Sequence, residues 1–234
     1  METMRDRVAR VRETIAETAL SVGRKPEEIT LVGASKTMGA EAVREAILAG
    51  VTDMGENRCQ ELTDKLAQGA YTGATLHFIG HLQQNKLKYL VGKADLIQSV
   101  DSADLLRLIE KRAEGLGIRQ RVLLQVNIGR EEQKGGILPE AVPELCQFAG
   151  TLPHVSLEGL MAIPPVYISG ENYLYFEEMY QLFIDMRAKK YDNASMNILS
   201  MGMSGDYPAA IRAGANMVRV GTAIFGARTY PPIS

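Results

Sequence analysis

The chain opens with a segment whose apolar residues recur at helical spacing. One face carries the apolar positions Met4, Val8, Val11, Ile15 and Ala19. Arginine and glutamate residues fill the other face, so the pattern predicts an amphipathic helix. Gly23 and Pro26 follow, and both residue types interrupt helices.

Beyond this helix, a short apolar run, a polar or glycine-containing junction and a helix-period segment alternate along the chain. The eight apolar runs are LVGAS, DMGEN, LHFIG, LIQSV, VLLQVNI, LEGLMAI, ILSMG and MVRVGTAIFG. Most of them are continuous, as expected for parallel strands that are buried on both faces. Strands that alternate with helices indicate a parallel α/β sheet.

Three of the intervening segments carry apolar stripes that predict helices. The stripes are Leu105, Leu108 and Ile109; Leu138, Val142, Leu145 and Ala149; and Phe176, Met179, Phe183 and Met186. Eight strands favour a (β/α)8 TIM barrel over an open doubly wound sheet, which more often stops at five or six strands. We therefore expect a single α/β domain over residues 1–234, with a leading helix in 1–25 and the barrel in 30–228. The stretch PPVYISGENYL, from Pro164, is predicted to be a longer loop.

Composition narrows the function classes. The 234 residues include 26 Lys and Arg against 28 Asp and Glu, and this balance argues against a nucleic-acid-binding surface. The two cysteines, Cys59 and Cys146, form no CxxC motif, which excludes a disulfide scaffold and fits a reducing cytoplasm. The charged N-terminal segment does not resemble a secretory signal, and no apolar run approaches the length of a membrane span. We expect a cytoplasmic protein that binds neither nucleic acid nor membrane.

In a barrel of this kind, the active site lies at the carboxyl ends of the strands, so polar residues there are the candidates. Lys36 ends the first apolar run. A lysine that loses solvation at a strand end favours the neutral amine, which can form a Schiff base with a carbonyl group. The alternative is a surface lysine whose ammonium stays in water. Other polar residues at strand ends are Glu56, Asn57, His81, Asp101 and Asn127.

Two segments late in the chain are candidates for binding a phosphate. SMGMSGD, from Ser200, combines small residues and hydroxyls with a following helix, and such a turn can present N–H groups to an anion. VRVGTAIFG adds Gly221, which allows close backbone approach, and Thr222. The loops after strands seven and eight are the usual phosphate position of the fold. A plain helix-capping turn is the alternative for the first segment.

Arginine and histidine residues raise further alternatives. Arg219 lies inside an apolar run and needs a partner there, either a structural ion pair or an acceptor atom of a ligand. His77 and His81 are four residues apart, but they flank a strand-like stretch, so we expect no metal site. His81 is the better candidate for lining a pocket. No GxxxxGK or GxGxxG motif follows the first strand, which argues against nucleotide binding.

Together, the motifs resemble those of the pyridoxal-phosphate homeostasis proteins, a family similar to the N-terminal barrel of alanine racemase. The motifs are LVGASK, MGENRCQE, HFIGHLQQNK, VNIGREEQKGG, GLMAIPP, LSMGMSGD and VRVGTAIFG, and they run from the first strand to the last. In one departure, Cys59 stands where the family usually has valine, which would place a thiol near the site.

The resemblance implies a site for pyridoxal 5′-phosphate (PLP), held covalently by Lys36 as an internal aldimine. It implies that Ser200, Gly221 and Thr222 bind the phosphate and that Arg219 faces the pyridine nitrogen. Asn57 would lie near the ring, and His81 and Met203 would line the pocket. No metal is implied.

The resemblance also has a consequence for activity. An arginine at the pyridine nitrogen keeps its own proton, so the ring is a weak electron sink. Racemisation needs a second acid or base, which alanine racemase takes from a second domain that this sequence does not include. We expect a monomeric protein that carries or buffers PLP, delivers it to PLP-dependent apoenzymes and has little or no turnover. The alternatives are a PLP-dependent amino-acid racemase of relaxed specificity and a Schiff-base aldolase without cofactor.

Overall fold

The eight predicted strands form a closed parallel barrel. The structure, a computed structural model, describes residues 2–165 and 172–226. The strands are β1 (Thr30–Ala34), β2 (Asp53–Glu56), β3 (Thr75–Phe78), β4 (Leu96–Val100), β5 (Gln120–Val126), β6 (Val155–Ala162), β7 (Ala194–Ser200) and β8 (Met217–Val220). Each strand pairs in parallel with the next, and β8 pairs with β1 to close the ring. This confirms the expected single-domain (β/α)8 barrel with an additional N-terminal helix.

Helices surround the barrel. They are α1 (Met4–Ser21), α2 (Ala40–Leu48), α3 (Cys59–Ala67), α4 (Ala103–Leu116), α5 (Val142–Gly150), α6 (Asn172–Ala188), α7 (Tyr207–Arg212) and α8 (Thr222–Phe225). Short 3-10 helices occupy Pro26–Glu28, Gln84–Tyr89 and Pro139–Ala141. The connection from β3 to β4 carries only the second of these, so the alternation of strand and helix is less regular than the sequence pattern predicts.

Two predicted elements have different bounds in the structure. The stripe that starts at Leu138 predicts a helix from that residue, but Leu138 is exposed and α5 begins at Val142, after a 3-10 turn. The run MVRVGTAIFG divides into β8 and the short helix α8, which begins at Thr222. Most of the predicted loop after Pro164, and residues 227–228 at the expected end of the barrel, lie outside the described residues.

Helix α1 packs outside the barrel, against its last helices. A capping box between Thr3 and Asp6 begins the helix, and its apolar face is buried as predicted. The Arg7 guanidinium donates a 2.6 Å hydrogen bond to the Ile224 carbonyl, which ties α1 to α8. No helix within the described ranges is both long enough and apolar enough to cross a membrane.

Side chains alternate between the inside of the barrel and the layer that faces the helices. The barrel interior holds a small apolar cluster made of Val32, Leu96, Leu123, Met161 and Met217. A much larger cluster lies between the strands and the helices. Because the interior cluster is small, polar side chains on the inner face have little apolar material around them and must find partners among themselves.

Candidate functional site

The segment that carries Lys36 is held on both sides by hydrogen bonds. Lys36 is half-buried and directly follows Ser35, the residue after β1. The Lys65 ammonium donates a 2.9 Å hydrogen bond to the Ser35 carbonyl. On the other side, the Thr37 N–H donates to a Glu61 carboxylate oxygen at 2.8 Å, and Thr37 has a φ of 69°. The main chain on either side of Lys36 is therefore fixed by helix α3.

A buried carboxylate lies beneath this segment. Glu56, at the end of β2, is fully buried, and its Oε1 accepts hydrogen bonds from Ser35 Oγ at 2.5 Å, Lys65 Nζ at 2.5 Å and Tyr71 OH at 3.0 Å. Burial, and then the Glu56 charge, raise the pKa of Tyr71, so its phenol stays protonated and can only donate here. A buried carboxylate with these donors is compensated, and it anchors the end of β1.

The loop after β8 lies directly against the end of β1. A Cβ placed on Gly221 would lie 3.2 Å from the Ala34 carbonyl oxygen, so only glycine fits there without a shift. The Gly221 N–H donates to Ser204 Oγ at 3.0 Å, which joins the loops after β7 and β8. Thr222 is exposed at the start of α8. The Ser204 hydroxyl and the Gly221 N–H therefore lie close to Ala34, which is two residues before Lys36 in the chain.

Arg219 is buried on the inner face of β8. Its guanidinium donates to Ser200 Oγ at 2.6 Å and to the Ala162 carbonyl at 2.9 Å. Burial lowers the pKa of Arg219 to about 10, against the opposing effect of the Asp206 charge, so the group is still charged at neutral pH. Both hydrogen-bond acceptors are neutral, and the charge that acts on Arg219 is that of Asp206.

Ser200 lies deeper than its expected role requires. The side chain is fully buried, and besides accepting from Arg219 its hydroxyl donates to Gln98 Oε1 at 2.7 Å. Its single proton and one lone pair are therefore committed inside the barrel. The Ser200 hydroxyl therefore contacts Arg219 and Gln98, and its binding of a phosphate stays a prediction. Ser204, four residues later, is the hydroxyl that lies beside Gly221.

Met203 belongs to the turn between these two serines. It is half-buried, and its N–H donates to Asp206 Oδ1 at 2.6 Å, while its carbonyl accepts from the Tyr207 N–H at 2.8 Å. These bonds fix the turn that leads into α7. Met203 therefore lies in the same loop as Ser204, which accepts from the Gly221 N–H, and its role in lining a pocket stays a prediction.

Asn57 and His81 come from the neighbouring loops after β2 and β3. A Cβ on Gly80 would lie 1.9 Å from the Asn57 carbonyl oxygen, so the two loops cross in contact. Asn57 Oδ1 is buried and has no hydrogen-bond partner within the described residues. His81 is exposed, and it lines a surface cavity together with Asn57, Cys59 and Lys86. Burial raises the pKa of the Cys59 thiol, which keeps it protonated near neutral pH.

The two histidines of the HFIGH motif have different environments, because His77 is buried and His81 is exposed. His77 is buried inside the barrel, where its ring nitrogens contact Asp53 Oδ1 at 3.0 Å and Gln98 Nε2 at 2.8 Å. His81 lies in the exposed cavity on the outer rim. Across the part of the chain that the structure describes, no three metal-ligating side chains cluster. The geometry gives no support to a metal bound by this pair.

Comparison with known proteins identifies the family. Residues 9–229 match the family model described as alanine racemase, N-terminal domain. A pyridoxal phosphate homeostasis protein of Aquifex aeolicus is 42% identical over 226 residues, covering 96% of this chain and 98% of that protein. The chain belongs to the pyridoxal phosphate homeostasis protein family. The resemblance found in the sequence motifs is thereby confirmed.

A second member of the family and two solved structures are also similar to this chain over most of its length. A pyridoxal phosphate homeostasis protein of Pseudomonas aeruginosa is 41% identical and covers 98% of both chains. The structure of PipY from Synechococcus elongatus with PLP bound is 32% identical, has a TM-score of 0.80 and covers 96% of this chain and 100% of that one. The PipY structure without PLP gives 31% identity and a TM-score of 0.85.

Sequence analysis did not select Lys65 or Gln98, and the structure shows why they matter. Lys65 lies on α3 and is buried against Glu56, so its role depends on a pairing between elements. Gln98 offers a local signal, because an amide inside the run LIQSV must find a partner within the barrel. That signal names the position but not the residues that it contacts.

Proposed function

We propose that this chain binds pyridoxal 5′-phosphate and takes part in intracellular vitamin B6 homeostasis, carrying the cofactor covalently on Lys36 with little or no turnover. The observation that carries the proposal is the contact between β1 and the loop after β8, where Gly221 meets the carbonyl of Ala34, two residues before Lys36. This contact puts the segment that carries Lys36 beside the loop that carries Gly221 and Thr222, at one mouth of the barrel. The family's name and the PLP-bound PipY structure support the same ligand.

The residues at this mouth fit the cofactor's chemistry. A cofactor with a phosphate, a ring nitrogen, a ring hydroxyl and an aldehyde needs an anion cradle, a donor, an acceptor and an amine. The close approach at Gly221 leaves a side chain there in tight contact with the Ala34 carbonyl, which favours glycine beside the proposed cradle. Arg219 supplies a charged donor, and the unpartnered Oδ1 of Asn57 supplies a buried acceptor. Lys36 supplies the amine.

Each residue then has a stated task. We assign phosphate binding to Thr222 and to Ser204, which we prefer to Ser200 because its Oγ accepts from the Gly221 N–H and has its own proton to donate. Arg219 donates to the ring nitrogen, held there by Ser200. The remaining assignments are Asn57 near the ring and Met203 and His81 as pocket walls. When bound, PLP supplies an aldehyde that condenses reversibly with a primary amine and releases one water molecule.

We expect low turnover because the Arg219 guanidinium keeps its proton. A guanidinium whose pKa is about 10 stays charged at neutral pH, so it donates a hydrogen bond without transferring its proton. A pyridine ring whose nitrogen accepts from Arg219 is therefore not protonated there, and it is a weak electron sink. Racemisation would also require a second acid or base on the opposite face of the substrate. The proposal is therefore a carrier, and a relaxed-specificity racemase is the outcome that would contradict this part of it.

The test is a visible spectrum of the protein with PLP, before and after borohydride reduction, followed by mass mapping of the adduct. We expect a yellow complex that borohydride fixes at Lys36 and that Lys36→Ala does not form. Lys134, half-buried and paired with Glu131 at 2.5 Å, is the matched control, and Lys134→Ala should retain the adduct. An adduct on Lys134, or no uptake of PLP, would overturn the assignment.

Turnover is measured separately with single L-amino acids and PLP-loaded protein. We expect no sustained formation of the D-isomer, and sustained formation that Lys36→Ala abolishes would make the protein an enzyme. A colourless protein that still cleaves or condenses carbonyl substrates would instead indicate a cofactor-free aldolase. These assays distinguish the three alternatives that the sequence leaves open.

The proposal also covers where the carrier acts, its oligomeric state and the proteins that receive the cofactor. We propose a cytoplasmic monomer that hands PLP to PLP-dependent apoenzymes, supported by two cysteines that are both free and by a near-balanced charge. Sedimentation of the loaded protein tests the monomer. Transfer is tested by mixing loaded protein with an apoenzyme and following the recovery of its activity, which should exceed recovery from the same concentration of spontaneously released PLP.

A further inference from the structure

A continuous chain of hydrogen bonds runs through the barrel interior. Arg219 donates to Ser200 Oγ at 2.6 Å, and Ser200 Oγ donates to Gln98 Oε1 at 2.7 Å. Gln98 Nε2 lies 2.8 Å from His77 Nδ1, and His77 Nε2 lies 3.0 Å from Asp53 Oδ1. The chain joins β8, β7, β4, β3 and β2, so it crosses from the mouth that holds Arg219 to the start of β2.

The chemistry of the members fixes the direction of every bond. An amide nitrogen can only donate, so His77 Nδ1 must be the acceptor and carry no proton. The ring hydrogen is then on Nε2, where it is donated to the Asp53 carboxylate. All four bonds therefore point the same way, from a buried guanidinium to a carboxylate. Bonds aligned in this way polarise one another, which strengthens the chain.

The groups around His77 fit this state. Burial alone would raise the pKa of Asp53, but hydrogen bonds from His77 and Thr52 outweigh burial and lower it, so Asp53 stays an anion. Arg121 of β5 lines the same cavity and is paired with Glu158 at 2.7 Å. The other groups facing this end of the barrel are Glu28, Thr30, Thr75, Asn197, Asn216 and Met217. Met217 Sδ accepts a second contact from Gln98 Nε2 at 3.2 Å.

We propose that Gln98 is a positioning residue for Arg219: it holds the guanidinium through Ser200, and His77 and Asp53 in turn fix the orientation of the Gln98 amide. If the amide turned over, its nitrogen would face Ser200 and its oxygen would face His77. The Ser200 hydroxyl would then lose the acceptor of its proton, and its second lone pair would be taken by the amide nitrogen, so the hydroxyl that Arg219 contacts would no longer be held by a donated hydrogen bond. The His77 tautomer thus acts on Arg219 through Gln98 and Ser200, and the Ala162 carbonyl holds the other side of the guanidinium. The effect on PLP rests on the proposed function, whereas the chain itself does not.

The first test uses the protein without PLP. Nitrogen-15 NMR of the imidazole rings resolves the tautomers, and the chain has only three histidines, so single variants assign them. We expect the His77 ring to carry its hydrogen on Nε2 and none on Nδ1. Gln98→Glu replaces the donor with a carboxylate acceptor, which should draw a ring hydrogen to Nδ1 of His77. Hydrogen on Nδ1 in the unaltered protein, or an unchanged ring in Gln98→Glu, would overturn the proposal.

A second variant protects this test against a folding defect. If Gln98→Glu does not fold, Gln98→Met removes the donor without adding a charge. The His77 hydrogen should then stay on Nε2, because the Asp53 carboxylate still accepts it. Hydrogen on Nδ1 of His77 in Gln98→Met would show that Asp53 does not fix the ring, and it would overturn the proposal.

The second test uses PLP affinity and a matched pair of serines. Ser200→Ala breaks the chain next to Arg219, and the dissociation constant for PLP should rise about tenfold, together with a shift in the visible absorption maximum. Ser99 is the next residue after Gln98, is equally buried, and has a hydroxyl without a partner among the described residues. Ser99→Ala should leave both measurements unchanged.

Equal affinities for the two serine variants would overturn the link from the chain to the cofactor. Failure of the unaltered protein to take up PLP is a different result, because it would contradict the proposed function. The NMR measurements on the unloaded protein would still decide whether the chain exists. The two failures are thereby distinguishable.

Discussion

The ammonium of Lys65 lies 2.9 Å from the main-chain carbonyl of Ser35, the residue immediately before Lys36. Two lysines therefore meet at the end of β1. Lys65 is buried and paired with Glu56, so its charge is used to hold the main chain. Lys36 is half-buried, and it is the lysine that we propose to react with PLP.

Removing Lys65 should unfold the protein more easily. Lys65→Met leaves the Glu56 carboxylate buried without its cation, and breaking a buried pair in this way typically costs about 3–5 kcal/mol. We expect a loss of this size in the free energy of unfolding, measured by urea denaturation. Covalent PLP loading at Lys36 should fall as well, because the Ser35 carbonyl loses its donor.

The matched control is Lys111→Met. Lys111 is an exposed lysine on α4, so the same change there should alter the free energy of unfolding by less than about 0.5 kcal/mol. The double variant Glu56→Gln with Lys65→Met should recover part of the loss, since it removes the uncompensated charge. A Lys65→Met protein as stable as Lys111→Met would show that the pair does not anchor β1.

Asp101 offers a prediction about pH. It follows β4, and burial raises its pKa above the ordinary 3.8, although the His81 charge acts in the opposite direction. Because the folded state binds this proton more tightly than the unfolded state, stability falls as the pH rises from 3.8 through the raised pKa. Asp101→Asn should therefore be more stable than the unaltered protein at pH 7. The gain should be less than about 1 kcal/mol, which corresponds to a rise in Tm of no more than roughly 2–4 °C.

The gain from Asp101→Asn should disappear at a pH below 3.8, where the carboxyl is protonated in both states. Asp104→Asn serves as the control, since Asp104 is exposed in the first turn of α4 and favours the helix dipole. That variant should be slightly less stable at pH 7. A Tm difference for Asp101→Asn that is the same at all pH values would rule out the titration of Asp101 as its cause.

The sequence predicts the barrel well because each strand leaves a local signal. The apolar runs around Met54 and Leu160 both form strands, and the order of strands follows the chain around the ring. Helix boundaries are less predictable. Leu138 keeps the helical spacing, but it precedes a 3-10 turn that starts at Pro139, and α5 begins only after that turn. Strand existence depends on composition over several residues, whereas a boundary depends on one turn.

The candidate site divides in the same way. Lys36 and Gly221 are found from sequence because their residue types at strand ends are unusual. The depth of Ser200 is not found, because the sequence does not show which of two nearby serines turns inward. That choice is made by the inner-face alternation of β7 and by the partner Gln98, which lies 102 positions away in the chain.

Ser204 tests the anion cradle. Its hydroxyl accepts from the N–H groups of Gly221 at 3.0 Å and Ala223 at 3.4 Å. Ser204→Ala removes this link between the loops after β7 and β8, and we expect PLP phosphate affinity to fall by about 1 kcal/mol or more. Titration with PLP and with inorganic phosphate as competitor measures the effect. Ser195→Ala, an exposed serine on β7, should bind PLP normally, and equal affinities would remove Ser204 from the cradle.

Gly80 decides whether the crossing of two loops is necessary for the fold. A Cβ there would lie 1.9 Å from the Asn57 carbonyl oxygen, so Gly80→Ala must move main chain and should cost more than about 3 kcal/mol. Gly115 in α4 has nothing within 4 Å of its Cβ position, and Gly115→Ala should stabilise the helix by about 0.5–1 kcal/mol. Urea denaturation of the two variants measures opposite signs for the same chemical change. A Gly80→Ala protein of unaltered stability would show that the loops after β2 and β3 do not need their close contact, and that Asn57 is held by other means.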